Sequence, residues 1–63
     1  MLSPREWQVC RLLARGLISK QIAAELGTAE QTVRLQRSQS MKKLGLDSVA
    51  ELVQLLGQLD ARS

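Results

Sequence analysis

Three glycines divide the chain into short segments whose apolar residues recur every three or four positions. The glycines stand at positions 16, 27 and 45, and glycine is the residue most often found just past the end of a helix. The apolar spacing between them is that of an amphipathic helix. We therefore predict an all-α chain, a four-helix bundle whose helices lie near residues 4–15, 19–26, 29–44 and 48–58.

Capping signals mark the start of the first and fourth helices. Ser3 and Glu6 have the spacing of a capping box, in which each side chain bonds the backbone N–H of the other residue. Pro4 occupies the first helical position, where proline is favoured. Ser48 and Glu51 repeat the capping-box spacing at the fourth helix, so both helices have a defined beginning.

The second and third helices are joined by a tight turn at Gly27. Ser19 is the expected N-cap of the second helix, which is only about two turns long and too short to be stable without packing. The third helix begins either with a capping box between Thr28 and Gln31 or one residue later, with Ala29 as a poorer cap. Two helices joined by a short turn that contains glycine are typical of a helix-turn-helix.

The length of the chain limits it to one small domain, which spans residues 1–63. A chain of this size buries only about 60% of the surface that it exposes when unfolded. We expect Cys10 to be a small buried residue and Trp7, the one aromatic residue, to be partly buried; Leu55 and Leu59 should be less buried. Ten apolar residues lie on the inner faces of the four helices and form the predicted core: Val9, Leu13, Ile22, Leu26, Val33, Met41, Leu44, Leu52, Val53 and Leu56.

The charge balance suggests an anionic partner, because the net charge is +3 and the pI is about 9.8. The absence of histidine and the single cysteine exclude a zinc site, a histidine general base and an internal disulfide. The chain also lacks a nucleophile elbow and a glycine-rich phosphate loop, so we predict no enzymatic activity, no metal or cofactor and no small-molecule ligand. No apolar run approaches the about 18 residues that span a bilayer, and we expect a cytoplasmic protein without a membrane partner.

The third predicted helix, residues 29–44, has few apolar residues and contains four of the nine basic residues of the chain. Gln31, Arg34, Leu35 and Ser38 are spaced to lie on one face. An α-helix fits the DNA major groove, where arginine can bond guanine, glutamine can bond adenine and leucine can contact a thymine methyl group. We therefore predict that this face reads the bases of double-stranded DNA.

Lys20 and Ser19, at the start of the second helix, would meet a DNA phosphate with a charge, a hydroxyl group and free backbone amides. The alternative interpretation of the third helix is a solvated basic face, which is common in small domains. The helix-turn-helix spacing favours the interpretation as a DNA-binding helix.

The stretch LSPREWQVCRLLARGLISKQIAAELGTAEQTVRLQRSQSMKKLGLDSVAELV resembles the LuxR-type, or FixJ/NarL-type, DNA-binding domain of bacterial transcription regulators. That family's pattern begins with L-[ST]-x-R-E and continues with G-x-[SN]-[NS]-K-x-I-A, T-V-[KR] and [IL]-M-x-K-L before a fourth helix. The resemblance covers essentially the whole chain. The matching residues are Leu2, Ser3, Arg5, Glu6, Gly16, Ser19, Lys20, Ile22, Ala23, Leu26, Thr32, Val33, Arg34, Met41, Lys43 and Leu44.

The resemblance implies a four-helix fold with the third helix in the major groove. The family's base-reading positions fall on Gln31, Arg34, Leu35 and Ser38 of this chain. Its backbone-contacting positions fall on Ser19, Lys20 and Thr32. The resemblance also implies that the domain is the C-terminal part of a longer regulator, such as a two-component response regulator, with RNA polymerase as a further candidate partner.

The resemblance further implies a homodimer on DNA that pairs through the fourth helix. Ala50, Gln54 and Gly57 lie opposite the inner stripe of that helix, and small side chains there would let two helices approach. These three residues are the predicted dimer interface.

The chain departs from the family's pattern at three positions of the third helix. It has Ala29 where the family often has serine, Gln36 where it usually has histidine, and Ser40 where it usually has isoleucine or leucine. We expect the Ser40 hydroxyl to bond the preceding helical turn, which would satisfy it at a core-facing site. By position, Glu6 could reach Lys43 at the end of this helix or act only as a solvated cap.

Two other functional classes compete with this interpretation. The first 44 residues also resemble the promoter-reading domain of a sigma factor, but that domain ends after its DNA-reading helix, and the capped segment 48–59 argues against it. A helical protein-interaction module would need a large exposed apolar groove, and the basic third helix argues against such a module.

Overall fold

The computed structural model describes the backbone of residues 2–61 and the side chains of residues 2–59. The described chain contains helices and no strand, which confirms the predicted all-α class. Every helix boundary lies within three residues of its predicted position. The four helices are α1 at Pro4–Ala14, α2 at Ser19–Leu26, α3 at Glu30–Leu44 and α4 at Val49–Ala61.

The first and fourth helices begin at the predicted caps. The Ser3 hydroxyl accepts from the Glu6 backbone N–H at 3.2 Å, and the Ser3 backbone N–H donates to the Glu6 carboxylate at 2.9 Å. At α4, the Glu51 backbone N–H donates to the Ser48 hydroxyl at 3.3 Å. The Glu51 carboxylate accepts from the Asp47 N–H at 2.7 Å, one residue before the position that a capping box would use.

The predicted N-cap of α2 is wrong. Ser19 is the first residue of the helix and is buried, while Ile18 precedes it in an extended conformation. The Ile18 backbone N–H donates to the Gln21 side-chain oxygen at 3.0 Å. Gln21 thus supplies one half of a capping box and marks Ile18 as the N-cap, while no N-cap side chain bonds the first N–H groups of the helix.

The turn between α2 and α3 depends on Gly27, which has the left-handed backbone angles φ 66° and ψ 38°. Glycine adopts this conformation without steric cost. The next residue, Thr28, donates its N–H to the Ala23 carbonyl at 3.0 Å and closes the turn. The N-cap of α3 is Ala29, with no side-chain hydrogen bond. Of the two predicted starts for α3, the later one with the poorer cap is therefore present.

The core lies between α1 and the other three helices. Leu26, Met41 and Leu44 from the predicted set are half-buried and pack against it, as does Trp7. Leu2, which precedes α1, belongs to the core and was not predicted. The buried apolar residues are Leu2, Val9, Cys10, Leu13, Ile22, Ala23, Val33, Leu52 and Leu56.

The prediction that Val53 belongs to the core is wrong, because its side chain is 44% exposed. Leu52 and Leu56 face inward. Leu55 is half-buried and lies on the flank of these two residues opposite to Val53. The apolar run of α4 is compatible with more than one inner stripe, and packing on α1 decides between them. Leu59 is exposed, as predicted.

Adjacent residues of α4 offer a matched test of this packing. Leu52→Ala should lower the free energy of unfolding by about 2–5 kcal/mol, because it leaves a cavity at a fully buried position. Val53→Ala should change it by about 0.5 kcal/mol or less, because the side chain is largely exposed. Denaturant unfolding followed by circular dichroism measures both, and equal losses would contradict the observed orientation of α4.

Candidate nucleic-acid interface

Helix α3 is anchored to the rest of the molecule along a narrow strip. Val33 and Ser40 are the buried residues of this helix, and both are fully inaccessible to solvent. The Ser40 hydroxyl donates to the Gln36 carbonyl at 2.6 Å, one turn earlier, which confirms the predicted back-bond. A buried hydroxyl group that has its hydrogen bond can occupy a core position without the penalty of an unsatisfied polar group.

Cys10 packs against this strip from α1. Its side chain is fully buried, as predicted, and burial raises the pKa of the thiol, while a hydrogen bond with Ser40 opposes the rise. A thiol held in its neutral form is a poor nucleophile. Cys10 is therefore a packing residue between α1 and α3.

A second link between α1 and α3 joins Glu6 to Lys43. The Lys43 ammonium nitrogen lies 3.0 Å and 3.1 Å from the two Glu6 carboxylate oxygens. The pKa of Glu6 is lowered from its ordinary value of 4.5, first by the Ser3 backbone N–H and then by Lys43. Glu6 therefore caps α1 and also binds the C-terminal end of α3. Of the two alternatives predicted for Glu6, contact with Lys43 or a solvated cap only, the contact with Lys43 is present.

The four predicted base-reading residues are exposed on the outer side of α3. Leu35 is 57% exposed and is one of four large apolar side chains exposed in the described part of the chain. Thr32 is exposed on another flank of the same helix. The outer face carries Gln31, Arg34, Leu35 and Ser38.

An ion pair on α3 was not predicted. The Glu30 carboxylate lies 2.6 Å from an Arg34 guanidinium nitrogen, and the Arg34 side chain remains 66% exposed. The signal was present in the sequence, because a glutamate four residues before an arginine is a favourable helical pair.

A groove separates α3 from the loop that leads into α2. Its charged lining consists of three basic residues, Lys20, Arg34 and Arg37, and one acid, Glu30, and we call it the basic groove. Ser19 and Ser38 line it beside them. The structure thus brings predicted phosphate-contacting and base-reading residues to one surface. Arg37 was not predicted as part of it, although its place three residues after Arg34 puts it on the adjoining flank.

The predicted dimer residues Ala50, Gln54 and Gly57 are exposed on α4. Val53 is exposed on the same helix and, with Gly57, lines a second groove at α1 and α2. The exposed side of α4 thus combines two small residues, Ala50 and Gly57, with the apolar Val53 and the polar Gln54.

Other site chemistries are not supported in the part of the chain that the structure describes. The side chains of residues 2–59 include no group of histidine, cysteine, aspartate and glutamate that could hold a metal ion. None of the helices described there is both long and apolar enough to cross a bilayer.

A basic, outward-facing α3 joined to α2 by a glycine turn defines a helix-turn-helix domain. The family model of bacterial regulatory proteins of the luxR family matches residues 1–56, and the chain belongs to that family. The family consists of regulators that bind double-stranded DNA and control transcription. The chain is accordingly a LuxR-type DNA-binding domain, which agrees with the resemblance drawn from its sequence.

Relatives in several bacteria share this domain. The chain is 52% identical over 54 residues to nodulation protein W of Bradyrhizobium diazoefficiens. The matched segment covers 86% of this chain and 24% of that protein. It is 47% identical over 51 residues to the transcriptional regulatory protein UhpA of Escherichia coli, with coverages of 81% and 26%. A solved structure of the Salmonella typhimurium response regulator RcsB superposes with a TM-score of 0.84 at 35% identity, over 90% of this chain and 29% of that one. The chain thus spans about a quarter of the length of these relatives.

The lowered pKa of Glu6 makes the stability of the domain depend on pH. A carboxyl group whose pKa is lower in the folded than in the unfolded state stabilises the fold above its unfolded pKa, and this contribution is lost as the pH falls through the folded pKa. We therefore expect the contribution of Glu6 to be complete well above pH 4.5 and to disappear as the pH falls below that value.

Lys43→Ala should lower the melting temperature at neutral pH and weaken this acid dependence, because it removes one of the groups that lower the pKa of Glu6. Lys42→Ala is the matched control, since both lysines stand in the last turn of α3 and interact alike with the helix dipole. Thermal unfolding followed by circular dichroism at neutral and acidic pH measures the difference. If both variants behaved alike, the link between α1 and α3 would contribute nothing.

Proposed function

We propose that this domain recognises a specific DNA sequence by placing α3 in the major groove. The observation that carries the proposal is the outer face of α3, where Gln31, Arg34, Leu35 and Ser38 are exposed together beside the basic groove. Arg34 is suited to guanine, Gln31 to adenine and Leu35 to a thymine methyl group. Ser38 supplies a hydroxyl group further along the same face.

The phosphate backbone would be held on both flanks of α3. Lys20 would contribute a charge, and Ser19, which is largely buried, would contribute chiefly its backbone amide at the start of α2, where the helix dipole favours an anion. Thr32 is exposed on another flank of α3 and could bond a phosphate oxygen with its hydroxyl group. Contacts of this kind fix the position of a protein on DNA without reading sequence.

On DNA, two copies of the chain would pair through α4. Ala50 and Gly57 are small and exposed, and Val53 between them presents an apolar side chain that a partner helix would cover. Gln54 lies beside them and could form a hydrogen bond across the interface. Burial of exposed apolar surface favours such pairing.

The relatives support a place for this domain within a larger regulator. They include response regulators of about four times the matched length, and we infer that the chain is the C-terminal DNA-binding part of such a protein in a two-component system. Its location would be cytoplasmic, where the DNA lies, and RNA polymerase is a further candidate partner at the promoter. We assign the domain no enzymatic activity.

Selection of duplexes from a random pool tests the proposed function. The expected result is a defined consensus with two half-sites about 10 bp apart, one helical turn, as a symmetric dimer requires. A pool that shows no enrichment would favour the protein-interaction alternative. The α4 helix and the family match already argue against the sigma-factor alternative.

Lys20 and Arg34 should differ in the kind of binding that they support. Lys20→Ala should weaken selected and random duplexes about equally and lower the salt slope by about 1. Arg34→Ala should cost about 1–3 kcal/mol on the selected duplex and relax the preference at one base pair. Fluorescence anisotropy across a salt series measures both effects.

Arg15→Ala is the charge-matched control for this series, because Arg15 is exposed at the end of α1 and lines the second groove. It should change neither the preference nor the slope. If Arg34→Ala lost affinity equally on both duplexes, Arg34 would be a backbone contact. An unchanged salt slope for Lys20→Ala would contradict its assignment to phosphate.

Ala50→Glu should weaken binding to the paired half-sites, because two copies would place like charges against each other at the α4 interface. Binding to a single half-site needs no partner and is the control. Anisotropy on the two duplexes gives the comparison. A variant that bound the paired site as tightly as the wild type would remove α4 from the interface.

A further inference from the structure

Glu30 is the one acidic residue of α3, and it lies in the basic groove. A carboxylate on a surface that meets phosphates repels them. An acid in the first turn also stabilises a helix through its dipole, but that role would be served by any position at the helix start. The contact of Glu30 with Arg34, which helical spacing favours, has a further consequence because Arg34 is the residue proposed to read a base.

The contact joins a Glu30 carboxylate oxygen to one terminal nitrogen of the Arg34 guanidinium at 2.6 Å. Arginine carries five donors in a planar fork, so a single carboxylate leaves other donors available. The Arg34 side chain is 66% exposed in this pair. The guanidinium is therefore held at one edge while it remains accessible to a base.

Two consequences follow for binding to DNA. Ordering a long side chain at an interface costs free energy, and Arg34 has already lost part of its freedom in the free protein. The carboxylate also competes with phosphate oxygens for the guanidinium. Both effects favour the complex in which Arg34 bonds a base over the complexes in which it bonds the backbone.

We propose that Glu30 is a positioning residue that raises the preference of this domain for its specific site by holding Arg34 ready for a base. This inference rests on the proposed function, since it requires that Arg34 reads a base. Glu30 would thus determine specificity without contributing net attraction to DNA.

The test is Glu30→Gln, which keeps the shape of the side chain and removes its charge. The ratio of affinities for the selected and the random duplex should fall about twofold, the limit set by an exposed ion pair between residues one helical turn apart. Affinity for the random duplex should rise. Glu25→Gln makes the same change at an exposed glutamate of α2 that does not line the basic groove, and it should leave the ratio unchanged.

The same substitution in an Arg34→Ala background separates positioning from a general charge effect. There the ratio should no longer respond to Glu30→Gln, because the side chain that Glu30 holds is absent. An unchanged ratio in the wild-type background, or an equal fall in both backgrounds, would overturn the proposal. Circular dichroism melts of each variant confirm that folded domains are compared.

The outcomes also separate this inference from the proposed function. If the wild type shows no preference among duplexes, the proposed function fails and Glu30 has no specificity to determine. If the wild type prefers its selected site and Glu30→Gln does so equally, only the inference about Glu30 fails.

Discussion

The anchoring of α3 by a narrow buried strip is the constraint on which the rest of the structure depends. Val33 and Ser40 are the fully buried side chains of this helix, and Ser40 satisfies its hydroxyl group within the helix itself. Because so little of the helix is used for packing, most of its circumference can carry polar and charged side chains. A broader apolar stripe would stabilise the domain further, but it would remove surface from contact with DNA.

A helix that is held so narrowly needs its direction fixed by other means, and the two ends of α3 supply them. At the N-terminal end, the left-handed Gly27 and the bond from Thr28 to the Ala23 carbonyl fix its angle to α2. At the other end, Lys43 is bound by Glu6, which also caps α1. Together these contacts set the position of α3 against α1 and α2, and the loop before α2 lies beside α3 and lines the basic groove.

The sequence predicted the features that depend on local chemistry, namely the helices, their glycine ends and the back-bond of Ser40. It left the role of Glu6 open between a solvated cap and a contact with Lys43, because that contact joins residues 37 positions apart. It failed where packing between helices decides the outcome. The run of apolar residues in α4 is compatible with several inward faces, so Val53 could not be assigned from periodicity alone. The prediction of Ser19 as N-cap was wrong because the helix begins one residue earlier than an N-cap at Ser19 implies, with the bond from the Ile18 N–H to Gln21 at its start. The exposed residues of the site were identifiable by their spacing, but the groove that joins them depends on the tertiary fold.

The central claim is that the outer face of α3 meets base edges in the major groove, and Leu35 tests it most directly. Its methyl groups are exposed and would lie against bases in the proposed complex. Isotope-filtered nuclear Overhauser spectroscopy on the domain bound to its selected duplex measures this contact. The account predicts cross-peaks from the Leu35 methyl protons to thymine methyl or cytosine H5 protons, which line the major groove. Cross-peaks from Leu35 to sugar protons alone, or cross-peaks only from α1 and α4, would contradict it.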